Sequence, residues 1–348
     1  MNKTGIVMDN RYMDHDMGSY HPESPNRLKV VYEMLKEPDM AGNFEHVPVR
    51  SAEREELLSV HSADYIDLLA STDGRDSTYL DPDTQTSAGS YRAALLAAGG
   101  LCEAIASVHS GELKNAFALV RPPGHHAENS RAMGFCLFNN VAVGARFAQE
   151  HLHLGRILIL DWDLHHGNGT QHSFENDPSI LYVSTHQYPY YPGSGSHKEV
   201  GTGKGEGYTV NVPLSMGYGD GEFAAIFEEV FRPVSLEFNP EFILISAGFD
   251  IYVGDPLGGM KVSPEGFAGL TRVVMDIAES CCEGKVVITL EGGYNLQGMR
   301  DSTKAVLMEL ADMSRTSVAD LLARADRGMV DHAVNPVKAI HRKYWKDL

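Results

Sequence analysis

The decapeptide DWDLHHGNGT, residues 161–170, places Asp161, Asp163 and His165 at alternate positions directly after the apolar run RILIL. Alternate residues of an extended segment face the same side, so these three can converge. Carboxylates and imidazoles at the end of a buried strand are costly to desolvate unless something pairs with them. A divalent cation would do so: zinc takes oxygen and nitrogen ligands, and a catalytic site uses three protein ligands with one position left for water. Asp250, at the end of FILISAGFD on another segment, is the candidate for the third. Taken alone, a D-x-H pair reads as a hydrogen-bonded surface turn. The adjoining apolar strand and the second loop aspartate favour the metal.

A second group points to proton transfer. RPPGHHAE carries His125 and His126 in succession, and imidazole titrates near neutrality. Asp161 and Asn168 on the neighbouring segment are available to orient the two rings, and a carboxylate partner would fix a tautomer and raise basicity. Tyr294 follows two glycines in LEGGYNL, where a hydroxyl could donate to a developing oxyanion. Phe135 and Tyr191 lie on two further loops and could wall a narrow apolar channel.

These segments share one placement: each follows a β-branched or aliphatic run. AFALV (116–120), RILILD (156–161), SILYVS (179–184), FILISAG (242–248) and KVVITL (285–290) read as strands. Helical patterns separate them at 87–108, 139–152 and 263–280, the last opening with Ser263, Pro264 and Glu265 as cap and first turn. Continuous apolar strands separated by helices imply a parallel sheet covered on both faces. In such sheets ligands collect beyond the carboxyl ends of the strands. No Pro/Ser-rich linker or repeat divides the 348 residues, so a single α/β domain over 1–348 is expected.

Composition narrows the partners. Net charge is −18, which disfavours nucleic acid, since phosphate binding needs a basic face, and would attract cationic substrates. No run of about 18 apolar residues is seen, so no membrane span is expected, and the first residues lack the layout of a signal peptide. Cys102, Cys136, Cys281 and Cys282 show neither C-x-x-C spacing nor a disulfide pattern, and a reducing, cytoplasmic setting is expected.

Taken together, RPPGHHA, GFCLFNN, DWDLHHGNGT, SAGFD, GDPLGG and EGGYNL resemble the zinc-dependent histone deacetylase family. The likeness is greatest to its class II branch and to bacterial histone-deacetylase-like amidohydrolases, and runs from HPESPNR (21–27) to EGGYNL (291–296). It implies an arginase-like fold, a parallel sheet of about eight strands with helices on both faces. It also implies roles. Asp163, His165 and Asp250 would bind Zn²⁺, with Fe²⁺ as an alternative for such ligands. His126 would be general base then acid, His125 its electrostatic support, with Asp161 and Asn168 as their partners. Tyr294 would stabilise the oxyanion. Gly134, Phe135, Tyr191 and Leu257 would line the acyl-lysine tunnel, with Asp83 at its rim. Structural K⁺ would be held at one site by Asp161, Asp163, His165, Ser184 and Thr185, and at another by Phe174, Asp177, Ile180 and Tyr208.

Four positions set this chain within that family. Asn168 stands where class I has Asp, and Tyr191 where Phe is commoner. Tyr294 is retained, and Leu257 replaces the Glu of a polyamine-specialised branch. The implied activity is hydrolysis of acyl-lysine side chains. Acetylpolyamine hydrolysis and a non-enzymatic acyl-lysine binding module are the alternatives, and the sequence leaves the oligomeric state open.

Overall fold

A computed structural model describes residues 3–348. Its ten strands are β1 (Thr4–Val7), β2 (Phe44–His46), β3 (Thr78–Asp81), β4 (Thr84–Thr86), β5 (Asn115–Ala118), β6 (Ile157–Asp161), β7 (Ile180–Gln187), β8 (Thr209–Leu214), β9 (Phe242–Ala247) and β10 (Val286–Leu290). Eight of them form one sheet in the order β2-β1-β5-β10-β9-β6-β7-β8, every pairing parallel. The other two, β3 and β4, make an antiparallel hairpin.

All five strands read from the sequence are present. β6, β9 and β10 occupy the middle of the sheet and are buried at every position, as continuous apolar runs require. The register sets the site. Asp161 at the end of β6 lies opposite Ser184 of β7 and Ser246 of β9, so the residues that follow leave the sheet on one edge.

The expected helices appear as Ser90–His109, Asn140–Leu152 and Pro264–Cys282. The Ser263 hydroxyl accepts from Gly266 N and the Asn139 side chain from Ala142 N, which satisfies first-turn donors that have no intrahelical partner. Pro264 occupies the first turn of its helix, where a missing N–H costs nothing. Ser90–His109 is, by length and composition, apolar enough to cross a membrane, although Arg92 and Glu103 interrupt its apolar run. Two-thirds of it is buried, and it packs on Asn140–Leu152 and β5 as a core helix. The four cysteines are free, Cys102, Cys136 and Cys282 being buried.

Candidate active site

The turn after β6 and the segment after β9 bring Asp163, His165 and Asp250 together. One ligand atom from each lies within 4.8 Å of the others, and all three residues are buried. His165 Nδ1 is 3.2 Å from Asp163 Oδ1 and 3.1 Å from Asp250 Oδ2. The carboxylates are also held from the backbone: Gly292 N donates to Asp163 Oδ2 at 2.8 Å and Leu164 N to Asp250 Oδ1 at 2.9 Å. Gly292 has to be glycine. A Cβ there would stand 2.6 Å from Asp163 Oδ2 and closer still to Asp250 Oδ2.

The electrostatics describe a site short of positive charge. Burial, then the neighbouring Asp163, push Asp250 up to about 7. His165 is disfavoured as a cation by burial, yet its bonds to Asp163 and Asp250 raise it to about 9. No lysine or arginine pairs with Asp163 or Asp250 among the described ion pairs, only histidines. Two buried carboxylates and an imidazole nitrogen converging without a permanent cation are a fitting donor set for one divalent metal ion.

The tandem histidines sit beside this group, their rings 4.0 Å apart. His125 Nδ1 is 3.0 Å from Asp161 Oδ2, which also accepts from the Tyr182 hydroxyl at 3.2 Å. His126 Nδ1 is 2.8 Å from Asn168 Oδ1. The two imidazoles therefore differ. Burial opposes charge on His125, but Asp163 and Asp161 outweigh it and raise it to about 10. His126 is held well below the usual histidine range by burial and then by His125 and His165.

Tyr294 and the aromatic residues complete the group. The Phe135 ring meets Tyr294 edge-on at 5.9 Å and His21 at 4.6 Å. Tyr191 stands edge-on to His126 at 5.2 Å and to His165 at 6.0 Å. Tyr190 stacks on His165 at 5.7 Å and donates its hydroxyl to Leu257 O. Phe135 and Gly134 both adopt positive φ, 69° and 57°. Their backbone is pinned to the β3–β4 hairpin: Gly134 N donates to Asp83 Oδ1 and Phe135 N to the Thr84 hydroxyl. Asp83 thus already supports the Phe135 turn. Leu257 is tied to Tyr294 through Asp255, which accepts from Leu257 N with one oxygen and from Tyr294 N with the other.

The remaining expected residues lie at two places on the sheet. Asp161 and Ser184 are register partners on β6 and β7, and Thr185 follows. His186 Nε2 bonds to Gly195 O, which can only accept, so its Nδ1 receives the Ser184 hydroxyl hydrogen and the lone pairs of that oxygen stay available. Elsewhere, Phe174 and Asp177 lie in the turn leading to Ile180, and Tyr208 precedes β8, its carbonyl accepting from Tyr182 N. Arg146 reaches this second place, bonding Asp177 Oδ2 at 2.6 Å and covering the Phe174 ring.

Sequence reasoning missed the residues that hold the parts together. Glu291 is fully buried: one oxygen accepts from Gly124 N at 2.7 Å and His125 N at 3.1 Å, the other from the Ser246 hydroxyl at 3.0 Å. Arg27 donates to Gly293 O and Glu291 O, and lies 5.0 Å from the Tyr294 ring centre. Glu23 accepts from both Arg27 and Arg121. The signal was present, since Glu23 and Arg27 lie in HPESPNR and Glu291 in LEGGYNL.

Comparison with known proteins agrees with this arrangement. A histone deacetylase domain model matches residues 21–310. The chain is 38% identical to a probable deacetylase of Archaeoglobus fulgidus over 99% of both chains. It is 39% identical to the polyamine deacetylase HDAC10 of Danio rerio, over 94% of this chain and 49% of that protein. The crystal structure of the HDA15 HD domain superposes with a TM-score of 0.90 at 39% identity, covering 99% of this chain and 96% of that one. On these matches, and on the site that the eight-stranded sheet assembles, the chain belongs to the histone deacetylase family.

Proposed function

We propose that this deacetylase-family protein hydrolyses acyl-lysine side chains, acetyl-lysine above all, with one zinc ion held by Asp163, His165 and Asp250. The observation that carries the reading is the convergence of those three buried side chains beside two histidines with different partners. A divalent ion there supplies Lewis acidity toward a carbonyl and lowers the pKa of water from 15.7 to about 7. Fe²⁺ satisfies the same ligands.

The chain's own groups then divide the work. The Asn168 oxygen accepts from His126 Nδ1–H, which leaves Nε2 with a lone pair. His126, kept neutral by burial, takes a proton at Nε2 as water attacks the amide, and returns a proton to the departing lysine nitrogen. His125, anchored on Asp161, supplies positive charge nearby. The Tyr294 hydroxyl donates to the oxyanion as it develops, on a backbone held by Asp255 and Arg27. Phe135 and Tyr191 would flank the aliphatic part of the side chain, Gly134 and Leu257 would complete the lining, and Asp83 would meet the substrate backbone. We assign a structural K⁺ to Asp161, Ser184 and the backbone of Asp163, His165 and Thr185. A second would lie against the carbonyls of Phe174, Asp177 and Ile180, with Tyr208. Free, buried cysteines suit a reducing, cytoplasmic setting.

The Danio rerio relative is named as a polyamine deacetylase, which makes acetylpolyamines the second reading. Leu257, where a polyamine-specialised branch carries Glu, favours acyl-lysine. The test is turnover of acetyl-lysine peptides, acetylspermidine and acetylputrescine by metal-analysed protein, with and without a hydroxamate. Hydroxamate-sensitive cleavage of the peptides is expected. Preferential cleavage of the polyamines would reassign the substrate, and no cleavage by zinc-loaded protein would leave a binding module.

A further inference from the structure

We infer that Glu128 is a positioning residue for this hydrolysis, fixing the Asn168 amide and through it the tautomer of His126. The inference rests on the hydrolytic reading above. The two ends of a carboxamide have nearly the same shape, and a half-turn of the side chain would present a donor rather than an acceptor to His126 Nδ1. Something must choose between them. Asn168 Nδ2 lies 2.5 Å from Glu128 Oε1 and 3.3 Å from His126 O, and both of those atoms can only accept. The nitrogen end is therefore locked outward and the oxygen end faces His126 Nδ1 at 2.8 Å. That acceptor requires a hydrogen on Nδ1 and so leaves Nε2 unprotonated for the reaction.

Glu128 is itself held. Its carboxylate oxygens stand 2.8 Å and 3.1 Å from His172 Nδ1, its N–H donates to Arg131 O, and its carbonyl accepts from His61. It lines a cleft of about 250 Å³, together with Ser59, Asn129, Arg146 and His172. The negative charge that an aspartate at position 168 would place against His126 has thus moved one side chain outward. A carboxylate at 168 beside that of Glu128 would set two like charges at hydrogen-bond distance. Asn with a glutamate behind it is one self-consistent pairing, and Asp with no acid behind it is the other.

That coupling gives the test. Turnover of an acetyl-lysine peptide is measured for the full chain as wild type, E128A, E128Q, N168D and N168D/E128A, with melting temperatures. Long-range ¹H–¹⁵N spectra report the His126 tautomer, the resonances being assigned by their loss in H126A. The expectation for E128A is a fall in kcat of about tenfold with KM nearly unchanged. E128Q, which keeps an oxygen acceptor, falls less. N168D alone falls at least as far as E128A, and adding E128A to N168D raises kcat rather than lowering it. In the spectra a single Nδ1-protonated form becomes a mixture in E128A. Turnover of E128A equal to wild type, effects of E128A and N168D that simply add, or an unchanged His126 tautomer would each overturn the inference. Failure of the hydrolytic reading is distinguishable: wild type would then cleave none of the acyl substrates, and the spectra would still decide the role of Glu128.

Discussion

Tyr294 and Asp250 show how much a single side chain carries here. In the proposed reaction the Tyr294 hydroxyl acts only as charge develops on the substrate, so Tyr294→Phe should lower kcat at least about a hundredfold, on the order of 3 kcal/mol, with little change in melting temperature. Steady-state kinetics and a thermal melt check both halves of that statement. Asp250 should behave oppositely with and without the ion. In metal-loaded protein Asp250→Asn would remove a proposed ligand, and both metal content and melting temperature should fall. In chelator-stripped protein the same change removes one of two neighbouring buried carboxylates, and the melting temperature should rise. Calorimetry on the four preparations reads the sign. The converging Asp163, His165 and Asp250 and the His–Asp and His–Asn pairs were legible in the sequence because each sits within a few residues of a recognisable strand end. The roles of Glu291, Arg27 and Glu128 were not, because they depend on which distant groups face them across the fold, backbone atoms for the first two and the Asn168 and His172 side chains for the third.

Among the elements, the turn after β10 ties the most parts together. From Glu291 to Asn295 it holds the His125 backbone, Asp163, Arg27 and Asp255 in succession. A side chain on Gly292 would press on the carboxylates of both Asp163 and Asp250. Gly292→Ala should therefore cost about 1–3 kcal/mol of stability and lower metal affinity by about 10–100-fold, measured by denaturant titration and competition with a chromogenic chelator. The central strands could be read from composition because strands covered on both faces are apolar throughout. Those that escaped lie at or near the edges: β1 and β2 have only four and three residues, and β8 contains Pro213, which an edge strand tolerates. The β3–β4 hairpin escaped too, since its short TYLD and TQT segments carry no apolar alternation, and what is buried in TQT is threonine.

Over the whole molecule, three buried histidines contribute to the response to acid. Burial lowers His61, His186 and His341 to about 4, from 6.5 in an exposed histidine. Between those values the unfolded chain binds protons at these three sites that the folded chain does not, so their contribution to stability rises with pH across that window and is lost as pH falls from about 6.5 towards 4, while Asp250 and Glu291, raised to about 7, act in the opposite direction. Melting temperatures in a buffer series read that balance. His341 is fully buried, and neither ring nitrogen has a hydrogen-bond partner among the described residues. His341→Leu should then raise the melting temperature, by more at pH 5 than at pH 7.5.

The buried ion cluster under Tyr294 reaches further back along the chain than the chemistry does. Glu23 stands 3.3 Å from His15 Nε2, and Arg121 donates to Tyr12 O. His15 in turn is bonded to Ser90 at the head of a core helix. A shortened polypeptide starting at Glu23 would lose β1, with its pairings to β2 and β5, together with the props on the far side of the guanidinium pair. Trimming for expression or crystallisation should accordingly leave β1 and everything after it in place, and a version cut beyond that strand should melt lower as well as turn over more slowly.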